Sequence, residues 1–185
     1  MVGRSGSRHV IGYRHAPPGL PFLWETTDQP PGRWHGAGEG PAHYIATSPD
    51  AAWAEFIRHE EITEPSDLRD VRRALWAVET PEEPPSLPRP LLGDRSLRGG
   101  RRSYAACQRE ARRLRVGGAS GLVAPSAALE VGPSGHRVDG GLVDGPHRSE
   151  EVVVLFGRRP DLVGWLACAE GRPSAELLPR VRVLR

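Results

Sequence analysis

Residues 43–59, HYIATSPDAAWAEFIRH, decide the fold. His43–Ala46 reads as a short strand. Ser48 or Asp50 then caps a helix running to about His59, with Pro49 near its first turn, where a missing N–H is no loss. Trp53, Phe56 and Ile57 recur at helical spacing and mark the buried stripe of that helix. Glu55 falls on another side, the one shared with Ala51 and Ala52.

Working outward, His9–His15 reads as a first strand, closed by Pro17 and Pro18. Residues 16–42 form an ordered loop rich in Gly, Pro and aromatic residues. Downstream, Arg73–Val78 is a strand, and Thr80–Arg102 is expected to be a mobile Pro/Gly-rich loop or insertion. Ser103 opens a second helix that Gly117 and Gly118 close. Gly121–Leu129 begins as a buried strand, and Gly132–His147 is expected as a Gly-rich loop. Glu151–Phe156, Val163–Ala167 and Val181–Leu184 read as further strands. Short strands interleaved with two helices indicate an α+β fold in a single domain, residues 9–185, behind a flexible N-terminus of residues 1–8.

The 185 residues include 22 Gly and 19 Pro and are 38% hydrophobic, which suits one loop-rich domain with a core of useful size. All 25 basic residues are arginine, and the chain holds neither lysine nor asparagine. Schiff-base lysines, Walker-type loops, Ser-Lys dyads and Cys-His-Asn triads are thereby excluded. A net charge of +2 argues against a general nucleic-acid binder. No apolar run approaches the roughly 20 residues that span a bilayer, and the polar start MVGRSGS gives no sign of a signal peptide. Cys107 and Cys168 match no metal-ligand spacing, the seven histidines form no His-Glu-x-x-His, and a reduced, cytoplasmic setting without a metal is expected.

Five short features occur in a fixed order: Tyr13-Arg14, Gly32-Arg33-Trp34, Tyr44-Ile-Ala, Ala54-Glu55 and Val123-Ala-Pro-Ser126. Together, over about residues 9–129, they resemble the RES domain, the toxin half of bacterial toxin–antitoxin pairs. The resemblance implies an ADP-ribosyltransferase-like fold, with a split mixed or antiparallel sheet flanked by helices. It also implies cleavage of NAD, by hydrolysis or phosphorolysis, with NAD as substrate and no cofactor. Transfer of ADP-ribose to a protein or small molecule is the alternative within the family. A non-catalytic nucleic-acid or protein-binding module, using the Arg109, Arg112 and Arg113 side of the second helix, is the alternative outside it.

By that resemblance, Glu55 and Arg14 are the candidate catalytic residues, and Tyr13, Arg33, His35, Tyr44 and Ser126 the candidate substrate-binding ones. The chemistry has a use for each. Nicotinamide leaves NAD as a neutral molecule, so the barrier lies in the cation that grows on the ribose. A fixed carboxylate, Glu55, opposes that charge. Arginines such as Arg14 and Arg33 clamp a pyrophosphate. Tyr44 stacks on the leaving ring, and Ser126 bonds the nicotinamide or ribose, or orients Glu55. Spacing alone leaves other roles open: a solvated glutamate, two surface arginines among 25, a core tyrosine and a serine that caps a turn. His35 stands where the RES pattern commonly has asparagine, and the region past Gly132 departs from its C-terminal pattern. A toxin of this kind implies an antitoxin partner carrying a helix-turn-helix domain.

Overall fold

The computed structural model describes residues 10–26, 28–80 and 86–184. The expected flexible segment 1–8 and the prolines 81, 84 and 85 of the expected loop lie outside the described residues. In chain order the elements are β1 (Val10–Ala16), β2 (Ala42–Ala46), α1 (Pro49–His59), β3 (Arg73–Thr80), α2 (Asp94–Arg98) and α3 (Tyr104–Val116). They continue with β4 (Gly121–Pro125), β5 (Gly132–Val138), β6 (Gly141–Arg148), β7 (Glu151–Phe156) and β8 (Val163–Gly171). Six strands form one sheet in the order β4-β7-β2-β1-β3-β8, and every neighbouring pair is antiparallel. The fold is α+β, as the interleaving of short strands and helices requires.

Local chemistry sets α1. The Ser48 hydroxyl accepts from the Ala51 N–H at 3.2 Å, and Pro49 follows the cap. The Trp53–Phe56–Ile57 stripe packs onto Leu75 of β3 and onto Leu129 and Leu177. Helix α3 covers β4 and β7 through Cys107, Ala111 and Leu114, which meet Leu122, Ala124, Val152 and Val154. Ala46 joins the α1 cluster while Ala42 and Tyr44 join the α3 cluster, and alternate residues of a strand share a face. Both helices therefore cover the same face of the sheet. The opposite face, with Ile45, Val78, Val123, Val153 and Leu155, is closed by Leu87, Leu162 and Phe22. Burial on both faces explains why Glu151–Phe156 is an unbroken apolar run.

The sheet is nearly divided in two. Strands β1 and β2 share a single residue pair, Tyr13↔Ala46, whereas β1 and β3 share seven. Beyond that pair the two strands part. A Cβ on Gly12 would sit 2.3 Å from Ile45 Cγ2 and 2.9 Å from the Ala46 carbonyl, so only glycine lets β1 approach β2 there. Gly12→Ala is expected to cost about 1–3 kcal/mol, lowering the melting temperature by several degrees in calorimetry. An unchanged transition would show that the junction is slack.

Three expectations are corrected. Residues 86–102 are not a mobile loop: Leu87 is buried, α2 forms, and Leu92 and Leu97 pack beside α3. Gly132–His147 is not a loop but lies largely within the β5–β6 hairpin, turned at Asp139 and Gly140 with φ of 49° and 82°. Asp-Gly at such a turn is a strong hairpin signal that the glycine content masked. Val181–Leu184 is not a sheet strand. Val181 makes one bridge to Leu129, and the tail packs beside residues 128–130. Among the described residues no helix is long and apolar enough to cross a membrane.

Candidate active site

A cleft of about 630 Å³ opens where β1 and β2 part. Tyr13, Arg14, Arg33, His35, Tyr44 and Glu55 line it, so the structure brings together six of the seven residues expected from sequence. Ser126, the seventh, is fully buried and stands behind Glu55.

Glu55 projects from the second turn of α1, where Ala51, Ala52 and Ala54 are buried and leave room for the strand below. The Ser126 hydroxyl donates to the Glu55 carboxylate at 3.1 Å. The same Oγ accepts the N–H groups of Ala128 and Leu129, at 3.3 and 3.1 Å. Ser126 thus caps the 126–129 turn and orients Glu55 from one atom. Both roles are among those left open to it by the sequence.

Arg14 alternates with Tyr13 and His15, and it leaves β1 on the face opposite α1. Its Nη1 donates to His43 Nδ1 at 3.3 Å. His43 keeps its proton on Nε2, which faces the Gly157 carbonyl at 3.1 Å and the Glu25 carboxylate at 3.3 Å. Burial pushes the His43 pKa down, so the ring stays neutral and able to accept. Burial also lowers the pKa of Arg14, and no carboxylate among the described residues pairs with it. A half-buried guanidinium with only a neutral partner is suited to an anion from outside.

Arg33 sits differently. It is 8% exposed, and its Nη1 donates to the Ser96 carbonyl at 3.1 Å and the Ser103 hydroxyl at 2.9 Å. Its Nη2 donates to the Gly99 carbonyl, and its guanidinium lies over the Tyr104 ring. The expected phosphate clamp is committed to holding α2 and the start of α3 against the cleft wall. Arg58, one turn beyond Glu55, reaches the same Gly99 carbonyl at 2.7 Å.

Tyr44 braces the turn that carries Arg33. The Trp34 N–H donates to its hydroxyl at 2.9 Å, and that hydroxyl donates to His35 Nδ1 at 3.0 Å. His35 Nε2 donates to the Pro30 carbonyl at 2.9 Å. Burial raises the Tyr44 pKa and lowers that of His35, which keeps both neutral and the chain of bonds intact. Tyr44 is therefore fixed by its hydroxyl, with its ring at the cleft. His35 works inside the turn, at 2% exposure.

The sequence reading missed His15, Arg58 and Arg73, which also line the cleft. The signal was present in part. His15 lies two residues beyond Tyr13 on the strand, and Arg58 lies three beyond Glu55 on the helix. Arg73 donates to His15 Nδ1 at 3.1 Å, and His15 stacks on Trp53. Burial, then the charges of Arg73 and Arg14, depress the His15 pKa from 6.5 to about 3. The unfolded chain binds this proton below pH 6.5 and the folded one does not, so stability rises with pH across that window. The slope from His15 is expected to approach about 1 kcal/mol per pH unit. His15→Phe should flatten the dependence of melting temperature on pH between 3.5 and 6.5; a slope left as steep would place the acid sensitivity elsewhere.

The arginine side of α3 is partly neutralised. Arg112 pairs with Glu39 at 3.3 Å and Arg113 with Glu110 at 2.8 Å. Neutralised arginines weaken the case for a nucleic-acid surface there.

Comparison with known proteins identifies the family. The chain matches the RES domain over residues 12–165, well past residue 129, where the resemblance read from motifs ends. No curated protein matches it. Among solved structures, a chain of the M. tuberculosis MbcT–MbcA toxin–antitoxin complex superposes with a TM-score of 0.58 at 16% identity, covering 94% of this chain and 88% of that one. At that identity the likeness speaks for the fold. The family match spans most of the chain, through both strands and the helix that build the cleft, and the chain belongs to the RES domain family.

Proposed function

We propose that the protein cleaves the bond between nicotinamide and ribose in NAD, with water or inorganic phosphate as acceptor. The observation that carries this is one cleft with a carboxylate held from behind and an excess of cations: Arg14, Arg33, Arg58, Arg73 and Arg101 against Glu55 and Glu60. Such a lining suits a ligand that is anionic along its pyrophosphate and becomes cationic at one sugar carbon.

In this reading the pyrophosphate meets Arg14, whose guanidinium donates to the neutral His43 and pairs with no carboxylate among the described residues. The ribose lies beside Glu55. As the glycosidic bond breaks, its electron pair moves onto the pyridinium nitrogen and nicotinamide departs neutral, so no acid is needed. Glu55 opposes the oxocarbenium charge, and a preorganised charge of this kind contributes several kcal/mol, roughly 10²–10³ in rate. Water then adds to the ribose carbon and releases a proton, giving ADP-ribose; phosphate in its place gives the 1″-phosphate. Tyr44 presents its ring to the nicotinamide and Tyr13 closes the floor between the strands. His35 and Arg33 hold the wall.

The similar fold in a toxin–antitoxin complex supports a toxin role with an antitoxin partner, and in this reading the enzyme meets its NAD in the cytoplasm. The deciding experiment incubates pure protein with NAD, with and without phosphate, and follows free nicotinamide. Absence of turnover in both buffers removes the activity. Label from NAD accumulating on protein or a small molecule, rather than in ADP-ribose or its phosphate, would make the enzyme a transferase.

A further inference from the structure

The chain continues past the family match, and its last described residues return to the cleft. The Arg182 N–H donates to the Ala128 carbonyl at 2.7 Å, and the Glu130 N–H donates to the Arg180 carbonyl at 2.9 Å, so the tail lies alongside the 126–129 turn. The Arg182 guanidinium then reaches over that turn, donating to the Leu129 carbonyl at 2.5 Å and facing the Ser126 carbonyl at 3.5 Å. Arg98 of α2 approaches the Ser126 carbonyl from its own side at 3.3 Å. Leu184 lines the cleft itself.

The turn is held from both ends. Ser126 Oγ takes the amides of Ala128 and Leu129, and the two guanidinium groups take the carbonyls. Ser126 has one hydroxyl proton, and it goes to Glu55. Any rotation of the turn therefore moves the donor that fixes the carboxylate. We propose that Arg182, from the C-terminal tail, is a positioning residue that sets Glu55 through Ser126. The proposal rests on NAD cleavage as the activity of this cleft.

The test compares full-length wild type with Arg182→Met, Arg182→Lys, Ser126→Ala and the Ser126→Ala/Arg182→Met double variant. Arg182→Met is expected to lower kcat for nicotinamide release about tenfold with KM nearly unchanged. Arg182→Lys, whose single ammonium reaches one carbonyl, should fall between it and wild type, and it carries the comparison if the Met variant does not fold. The double variant should be no slower than Ser126→Ala, because residues acting through one bond are not additive. Additive losses, or a rise in KM alone, overturn the proposal. A crystal structure of Arg182→Met reads the same point without turnover: the 3.1 Å bond from Ser126 to Glu55 should open. An unchanged bond overturns the role of Arg182, whereas an inert wild type removes the activity and leaves that bond as the measure.

Discussion

Replacing Glu55 by glutamine is expected to slow nicotinamide release from NAD by roughly 10²–10³-fold, with substrate affinity and melting temperature little changed. The amide oxygen of glutamine can still accept from the Ser126 hydroxyl, so the side chain keeps its orientation and loses only its charge. A neutral group in the same place stabilises the ground state almost as well, but not a sugar carbon turning cationic. The effect should therefore appear in kcat and kcat/KM together. Single-turnover kinetics on NAD, with calorimetry on the same samples, provide the measurement. A variant that keeps even a third of wild-type kcat would move the catalytic charge elsewhere in the cleft.

The second large effect is at Arg14 and runs in two directions. Arg14→Gln is expected to raise KM for NAD by roughly 10–100-fold, since charge-assisted hydrogen bonds to a phosphate contribute about 1.5–3 kcal/mol. Its melting temperature should hold or rise. Arg14 is half-buried, burial pulls its pKa down, and its hydrogen-bond partner is the neutral His43. Removing a half-buried cation that has no anionic partner relieves its desolvation in the free protein, while removing a paired one leaves its partner stranded. Function retained at the expense of stability marks a binding group. A clear fall in melting temperature would show that Arg14 is structural, and isothermal titration with NAD would separate the two roles.

Arg14 and Glu55 approach the cleft from opposite faces of the sheet, and they share it only because β1 and β2 part beyond Tyr13↔Ala46. An unbroken sheet would screen one from the other. The close approach at Gly12 and the parting just after it are thus a condition of the site as well as of the fold.

Much of this was legible in the chain. The capped helix at Pro49–His59, the strand before it and the buried run at Glu151–Phe156 follow from capping, periodicity and composition over a few residues, where local physics acts alone. The ordered motifs named the family, and six of the seven residues they pointed to share one cleft. Tertiary structure decided what each residue does. With 25 arginines of identical chemistry, no local pattern separates Arg14 from Arg33. The acceptors that occupy Arg33 come from positions 63 to 70 residues away, so its donors are spent only once the 96–103 segment has folded against it. Ser126 behind Glu55, the tail that returns to hold it and the gap between the first two strands arise in the same way. A side chain's type is written locally, while the atoms left free on it depend on which distant carbonyls the fold brings near.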